Sequence, residues 1–132
     1  MTVVLGYIPT PPGEAALAAA LEEARLRGER LVVLNTTRGD RLSDPRYAHD
    51  ADMTRLTEAL ASSGVEHEVR HGTSDGLAGD DLVKLAVELE ATMIVIGLRP
   101  RSPVGKLVLG SAAHAVLHDA PCPVLAVKAA AD

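Results

Sequence analysis

The chain has 132 residues, 47% of them hydrophobic, and its only aromatic side chains of the Phe, Trp and Tyr type are Tyr7 and Tyr47. That length suits one domain with one core. The hydrophobic fraction argues against disorder, and the core must be built of Val, Leu, Ile and Ala, which fits buried parallel strands flanked by Ala-rich helices. A net charge of −5, no adjacent pair of Lys or Arg and no stacking platforms argue against nucleic acid or an anionic membrane as partner.

The opening MTVVLGYIPT lacks a basic n-region and breaks at proline, so it does not read as a signal peptide. Residues 2–8 form a short apolar run with β-branched residues, ended by the turn-forming PTPPG, and are expected as the first strand. Residues 14–28 are rich in helix formers and close on a glycine. Ala16, Leu17, Ala20, Leu21 and Ala24 recur there at helical spacing, giving one apolar face. RLVVLNTT reads as the second strand, continuously apolar from Leu31 to Leu34.

Residues 38–50 are polar and turn-rich, a long loop for a compact domain. A helix is expected from about Ala48 to Ser62, with Met53, Leu56 and Leu60 inward. At 65–71, Val65, His67, Val69 and His71 alternate with Glu66, Glu68 and Arg70, which predicts a strand at a sheet edge. A glycine-rich link leads to a helix at about 79–90, with Leu82, Leu85, Ala86 and Leu89 as its buried stripe. TMIVIG, at 92–97, is apolar enough for a central strand. A loop rich in glycine, proline and basic residues then reaches a helix from about Ser111 to His118. PCPVLAVK supplies the last strand, and its two prolines favour an edge.

Strands and helices thus alternate from end to end. The pattern predicts an open, five-stranded, mostly parallel α/β sheet with helices on both faces, in a single domain over residues 1–132. Ligands of such sheets sit beyond the carboxyl ends of the strands, where strand order reverses. If strands one and four flank that point, three segments converge on it. They are the loop from Pro9 to Gly13, the end of strand two (Asn35, Thr36) and the loop after strand four.

That last loop, GLRPRSPVGKLVLGS, is not a P-loop. Seven residues separate Gly97 from Gly105, and Lys106 is followed by Leu107 in place of Ser or Thr. Gly110 and Ser111 nevertheless stand at a helix start, where free N–H groups and the helix dipole favour an anion. Arg99 and Arg101 add positive charge nearby. The competing reading of Ser111 is a plain helix N-cap.

Other polar clusters read more simply. His67 and His71 lack an evident third partner for a metal, and His114 and His118, four apart on a helix, lack clustered carboxylates. No metal site is expected. Asp80 and Asp81 open a helix, where negative charge suits the dipole. Asp40, Asp44, Asp50 and Asp52 read as a solvated acidic stretch in or beside the long loop. Cys122, the single cysteine, reads as a small buried hydrophobe, and one cysteine allows no intrachain disulfide. With no apolar stretch of membrane-spanning length, the expectation is a soluble cytoplasmic protein. No Ser-His-Asp arrangement or nucleophile elbow is present.

The stretch IVIGLRPRSPVGKLVLGSAAHAVLHDAPCPVLAVK resembles the C-terminal signature of the universal stress protein family, G-x-x-G-x(9)-G-[S/T] followed by a phrase like HAPCPVLVV. The resemblance implies strand order 3-2-1-4-5 and a homodimer through the last strand, Pro123, Val124, Leu125, Ala126 and Val127. It also implies an adenine nucleotide, ATP or AMP, with Mg²⁺ as a companion ion. Gly110, Ser111 and Ala112 would then meet phosphate. Gly97, Leu98 and Arg99 would lie along ribose and phosphate, with Arg101 adding charge, while Thr36 would border the adenine and Pro9 would belong to the nucleotide-binding set. Two positions depart from the family pattern. Pro100 replaces the second motif glycine and has no N–H. Ile8 stands where members carry an Asp at the end of strand one, and it offers no acceptor.

Three functions follow. The first is a regulatory or sensing protein that binds the nucleotide, favoured by Gly110 and Ser111. The second is a stress-protein homodimer that has lost the nucleotide and acts through protein partners, favoured by Pro100 and Ile8. The third, an enzyme cleaving the nucleotide slowly, lacks a clear general base.

Overall fold

A computed structural model of the chain describes residues 1–35, 50–71, 78–98 and 111–129. Their order is β1 (Thr2–Tyr7), α1 (Pro11–Arg27), β2 (Arg30–Asn35), α2 (Asp50–Ser62), β3 (His67–His71), α3 (Ala78–Leu89), β4 (Met93–Leu98), α4 (Ser111–Asp119) and β5 (Val124–Lys128). The strands form one sheet in the order β3-β2-β1-β4-β5, and every pairing is parallel. The expected topology is therefore the observed one. No helix among the described residues is long and apolar enough to cross a membrane.

Strand alternation explains the two layers of core. Val3, Leu5 and Tyr7 of β1, with Leu31 and Val33 of β2 and Val95 of β4, pack with Ala16, Leu17 and Ala20 of α1 and Leu56 and Leu60 of α2. Val4, Val32, Ile94 and Ile96 point the other way, onto Leu82, Leu85 and Ala86 of α3 and Val116 of α4. Both faces are covered, so β1, β2 and β4 carry continuous apolar runs instead of a polar alternation. The small alanines of α1 let that helix lie close over β1 and β4. Among the described residues β3 pairs with β2 alone, and its exposed His67 and His71 with half-buried Glu68 and Arg70 fit an edge.

Helix α1 begins three residues earlier than its helix-forming composition suggests. Thr10 is extended (φ −133°, ψ 163°), and its hydroxyl accepts from the Gly13 N–H at 3.2 Å. Pro11 and Pro12 occupy the first helical positions, where a missing N–H costs nothing and φ is already helical. A sequence reading that treats PTPPG as a breaker misses this cap. Gly28 ends the helix at φ 66°, with its N–H on the Arg25 carbonyl at 3.2 Å and the Glu29 N–H on the Ala24 carbonyl at 3.0 Å. Helix α3 ends the same way without a glycine. Glu90 takes φ 51°, and the Ala91 N–H reaches the Ala86 carbonyl at 2.9 Å.

At the amino-terminal edge of the sheet, polar side chains close the ends of the strands. The Thr92 N–H and hydroxyl both donate to the Thr2 carbonyl, at 2.8 and 3.2 Å, and Arg30 Nε donates to the Thr2 hydroxyl at 3.3 Å. The carboxyl ends of the strands are the opposite edge, and there the candidate site is built.

Candidate nucleotide site

Strand order reverses between β1 and β4, because β1 leads outward to β2 while β4 leads to β5. The crevice beyond these carboxyl ends is the expected ligand position. Tyr7, Asn35 and Leu98 are the last residues of β1, β2 and β4, and Ser111 opens α4.

All four described helices start from this edge, since each follows a parallel strand, but α1 and α4 follow the two strands that flank the reversal, and the first turn of α1 is closed to an anion. Pro11 and Pro12 have no N–H, the Gly13 N–H is taken by the Thr10 hydroxyl, and the Glu14 N–H donates to the Thr10 carbonyl at 2.8 Å. Glu14 also places a carboxylate in that turn, where it accepts from the Tyr7 hydroxyl. The positive end of the helix dipole is therefore already matched by negative charge. Helix α4 differs, with no acidic residue in its first turn.

The turn between β1 and α1 lies tightly against β4. A Cβ on Gly97 would stand 2.5 Å from the Pro12 carbonyl oxygen, and one on Gly13 would stand 1.8 Å from that of Ile8. Both glycines are thus required by close backbone approach. Gly97, the first glycine of the loop motif, has this packing role whatever the loop binds.

At the other side of the crevice, Asn35 is 1% exposed. Its Nδ2 donates to His71 Nδ1 at 3.4 Å, and it lies 3.7 Å from the Met53 sulfur. Its Oδ1 is the one buried side-chain polar atom among the described residues without a hydrogen-bond partner. A lone polar residue closing the apolar run of β2 is the sequence signal for this position. Its pairing with His71 depends on β3 lying beside β2 and cannot be read from spacing.

The residues expected at the site fall into three groups. Pro9 lies half-buried in the β1–α1 turn, Gly97 is the penultimate residue of β4, and Ser111 and Ala112 open α4. Leu98 ends β4, but its side chain is buried in the α3–α4 layer of core, so only its backbone faces the loop side. Thr36, Arg99, Arg101 and Gly110 lie outside the described residues, as do Pro100, Asp40 and Asp44. Ile8 is half-buried, and its carbonyl accepts from the Thr10 N–H at 2.8 Å.

The remaining candidates separate in space or in role. His67 Nδ1 lies 2.9 Å from the Val65 carbonyl, while His71 engages Asn35. Four residues apart on a strand, they stand about 13 Å from each other. Among the described residues no three His, Cys, Asp or Glu side chains converge on a point that could hold a metal ion. Cys122 is half-buried, and burial pushes its thiol pKa up, which suits an inert residue.

The parallel sheet with helices on both faces is a Rossmann-like α/β fold, a class whose ligands sit beyond the carboxyl ends of the strands at a switch point. Comparison with known proteins makes the class specific. The profile of the universal stress protein family matches residues 1–128. A universal stress protein of Mycolicibacterium smegmatis is 40% identical over 126 residues, covering 96% of each chain. The structure of a universal stress protein from Archaeoglobus fulgidus superposes with a TM-score of 0.73 at 34% identity, covering 97% of this chain and 98% of that one. A universal stress protein from the same organism, solved in complex with dAMP, gives a TM-score of 0.68 at 29% identity and the same coverage. The chain belongs to the universal stress protein family.

Proposed function

We propose that this protein binds an adenine nucleotide, ATP or AMP, as a regulatory ligand at the carboxyl ends of β1, β2 and β4. The observation that carries the reading is the asymmetry of the two helix starts. Prolines and Glu14 close α1 to an anion, whereas α4 opens at Ser111 without an acidic residue in its first turn. The phosphates then belong at α4, with Gly110, Ser111 and Ala112 as the cradle and Arg99 and Arg101 as its charge. The ribose runs along the backbone of Gly97 and Leu98, and the base lies towards Thr36 and Pro9. The dAMP bound by the Archaeoglobus fulgidus relative supports a ligand of this class.

Three further assignments belong to the same proposal. Mg²⁺, where ATP is the ligand, is carried by the phosphates. The whole chain acts as one stress-protein domain in the cytoplasm, in keeping with its single cysteine. It works as a homodimer through β5, whose outer edge has no strand beside it among the described residues and whose Val124, Leu125 and Val127 are only partly buried.

The second reading, a stress-protein homodimer that acts through protein partners without nucleotide, rests on Ile8. Its side chain has no acceptor, and its carbonyl is already engaged by Thr10. Titration calorimetry with ATP and AMP, together with mass spectrometry of ligand released from the purified protein, separates the two. Saturable heat, weakened in Ser111→Ala, is the expected result. No released nucleotide and no heat at saturating ATP would leave the second reading.

A further inference from the structure

Helix α4 also carries a pair of exposed histidines. We propose that His114 and His118 together chelate a late first-row divalent cation, such as Zn²⁺ or Cu²⁺, on the exposed face of this helix. Spacing alone allows such a pair without requiring it, because a solvated face has the same spacing. The structure adds three observations.

First, the two exposed imidazoles stand side by side, with ring centroids 6.3 Å apart and planes 23° from parallel. A metal–nitrogen bond of about 2.0–2.1 Å from each ring closes that gap with small rotations about the side-chain torsions. Second, His118 Nδ1 lies 2.9 Å from an Asp119 carboxylate oxygen. A carboxylate on one ring nitrogen holds the proton there and leaves the lone pair of Nε2 free for a metal, the usual outer support of a ligating histidine. Third, His118 sits in the last turn of α4. A bound cation there is favoured by the negative end of the helix dipole, and the chain's net charge of −5 adds to the attraction.

Neutral imidazoles in a two-ligand, solvent-completed site select nitrogen-seeking ions over Mg²⁺ or Ca²⁺, with Cu²⁺ bound most tightly. Such a site is open and exchangeable, unlike a closed four-ligand structural site. His67 and His71 make no comparable pair, since they are too far apart and differently engaged.

The test is calorimetric titration of the nucleotide-free full chain with ZnCl₂ at neutral pH, and the Cu²⁺ electron paramagnetic resonance spectrum of the same protein. One Zn²⁺ per chain is expected. His114→Ala and His118→Ala should each lower the affinity about tenfold or more, and Asp119→Ala should lower it by less. The Cu²⁺ spectrum should show two imidazole nitrogens, reduced to one in either single-histidine variant. Alanine favours the helix, so circular dichroism should show all three variants folded. Equal Zn²⁺ affinity in the wild type and the His114→Ala/His118→Ala double variant would overturn the proposal. So would an unchanged Cu²⁺ spectrum, or one ion bridging two chains.

Discussion

The α-carbon of Gly97 faces the backbone of Pro12 so closely that a methyl group on it would stand 2.5 Å from the Pro12 carbonyl oxygen. The end of β4 and the start of α1 are thereby locked together at the mouth of the crevice. Gly97→Ala should destabilise the fold by about 1–3 kcal/mol through overpacking. Gly13→Ala should cost more, because its methyl would meet the Ile8 carbonyl at 1.8 Å. Urea denaturation measures both, and an unchanged midpoint for Gly97→Ala would mean that the turn has room to move.

Asn35 is buried, its Oδ1 has no partner among the described residues, and its Nδ2 is on a long bond to His71. A buried acceptor without a partner is costly, while an apolar side chain of similar size bears no such penalty. Asn35→Leu should therefore leave stability unchanged or raise it by up to about 1 kcal/mol. Destabilisation beyond about 2 kcal/mol in urea denaturation would show that the amide is fully paired in solution.

Glu90 ends α3 in the left-handed region, at φ 51°, where a side chain is strained and glycine is not. Glu90→Gly should stabilise the protein by about 0.5–1 kcal/mol, the strain relieved less the entropy of glycine. Its side chain is exposed, so little packing is lost. A lower thermal midpoint in the variant would contradict this.

Burial raises the Cys122 thiol pKa, so the folded chain holds the neutral form and the thiolate is disfavoured. For a group shifted this way, the contribution to stability is present below its unfolded pKa and is lost as pH rises through the folded one. Iodoacetamide at pH 8 should alkylate native protein more slowly than protein unfolded in urea. Equal rates in the two states would show that the thiolate forms freely in the folded chain.

Much of the fold is legible in local chemistry. TVVLGY, RLVVLN and MIVIGL are apolar on both faces, which is the mark of strands covered by helices on either side, and the stripes Ala16–Leu17–Ala20 and Leu82–Leu85–Ala86 mark two of those helices. The start of α1 is not legible in the same way. PTPPG is rich in turn-forming proline and glycine, and only the Thr10 cap shows its prolines serving as the first helical residues. The start of α4 could be placed at Ser111, because a helix start has a local signature. The closure of α1 to anions could not, because it depends on which N–H groups are already occupied.

Period, caps and small residues are properties of neighbours along the chain, so residue order was enough to locate strands, helices and the candidate anion turn. Contacts between distant residues obey no local code. The pressing of Gly97 on Pro12, the pairing of Asn35 with His71 and the division of β1 between two layers of core arise only when β3, β2, β1, β4 and β5 lie side by side. Each is set by sheet pairing and close packing, which bring together groups that the chain itself keeps far apart.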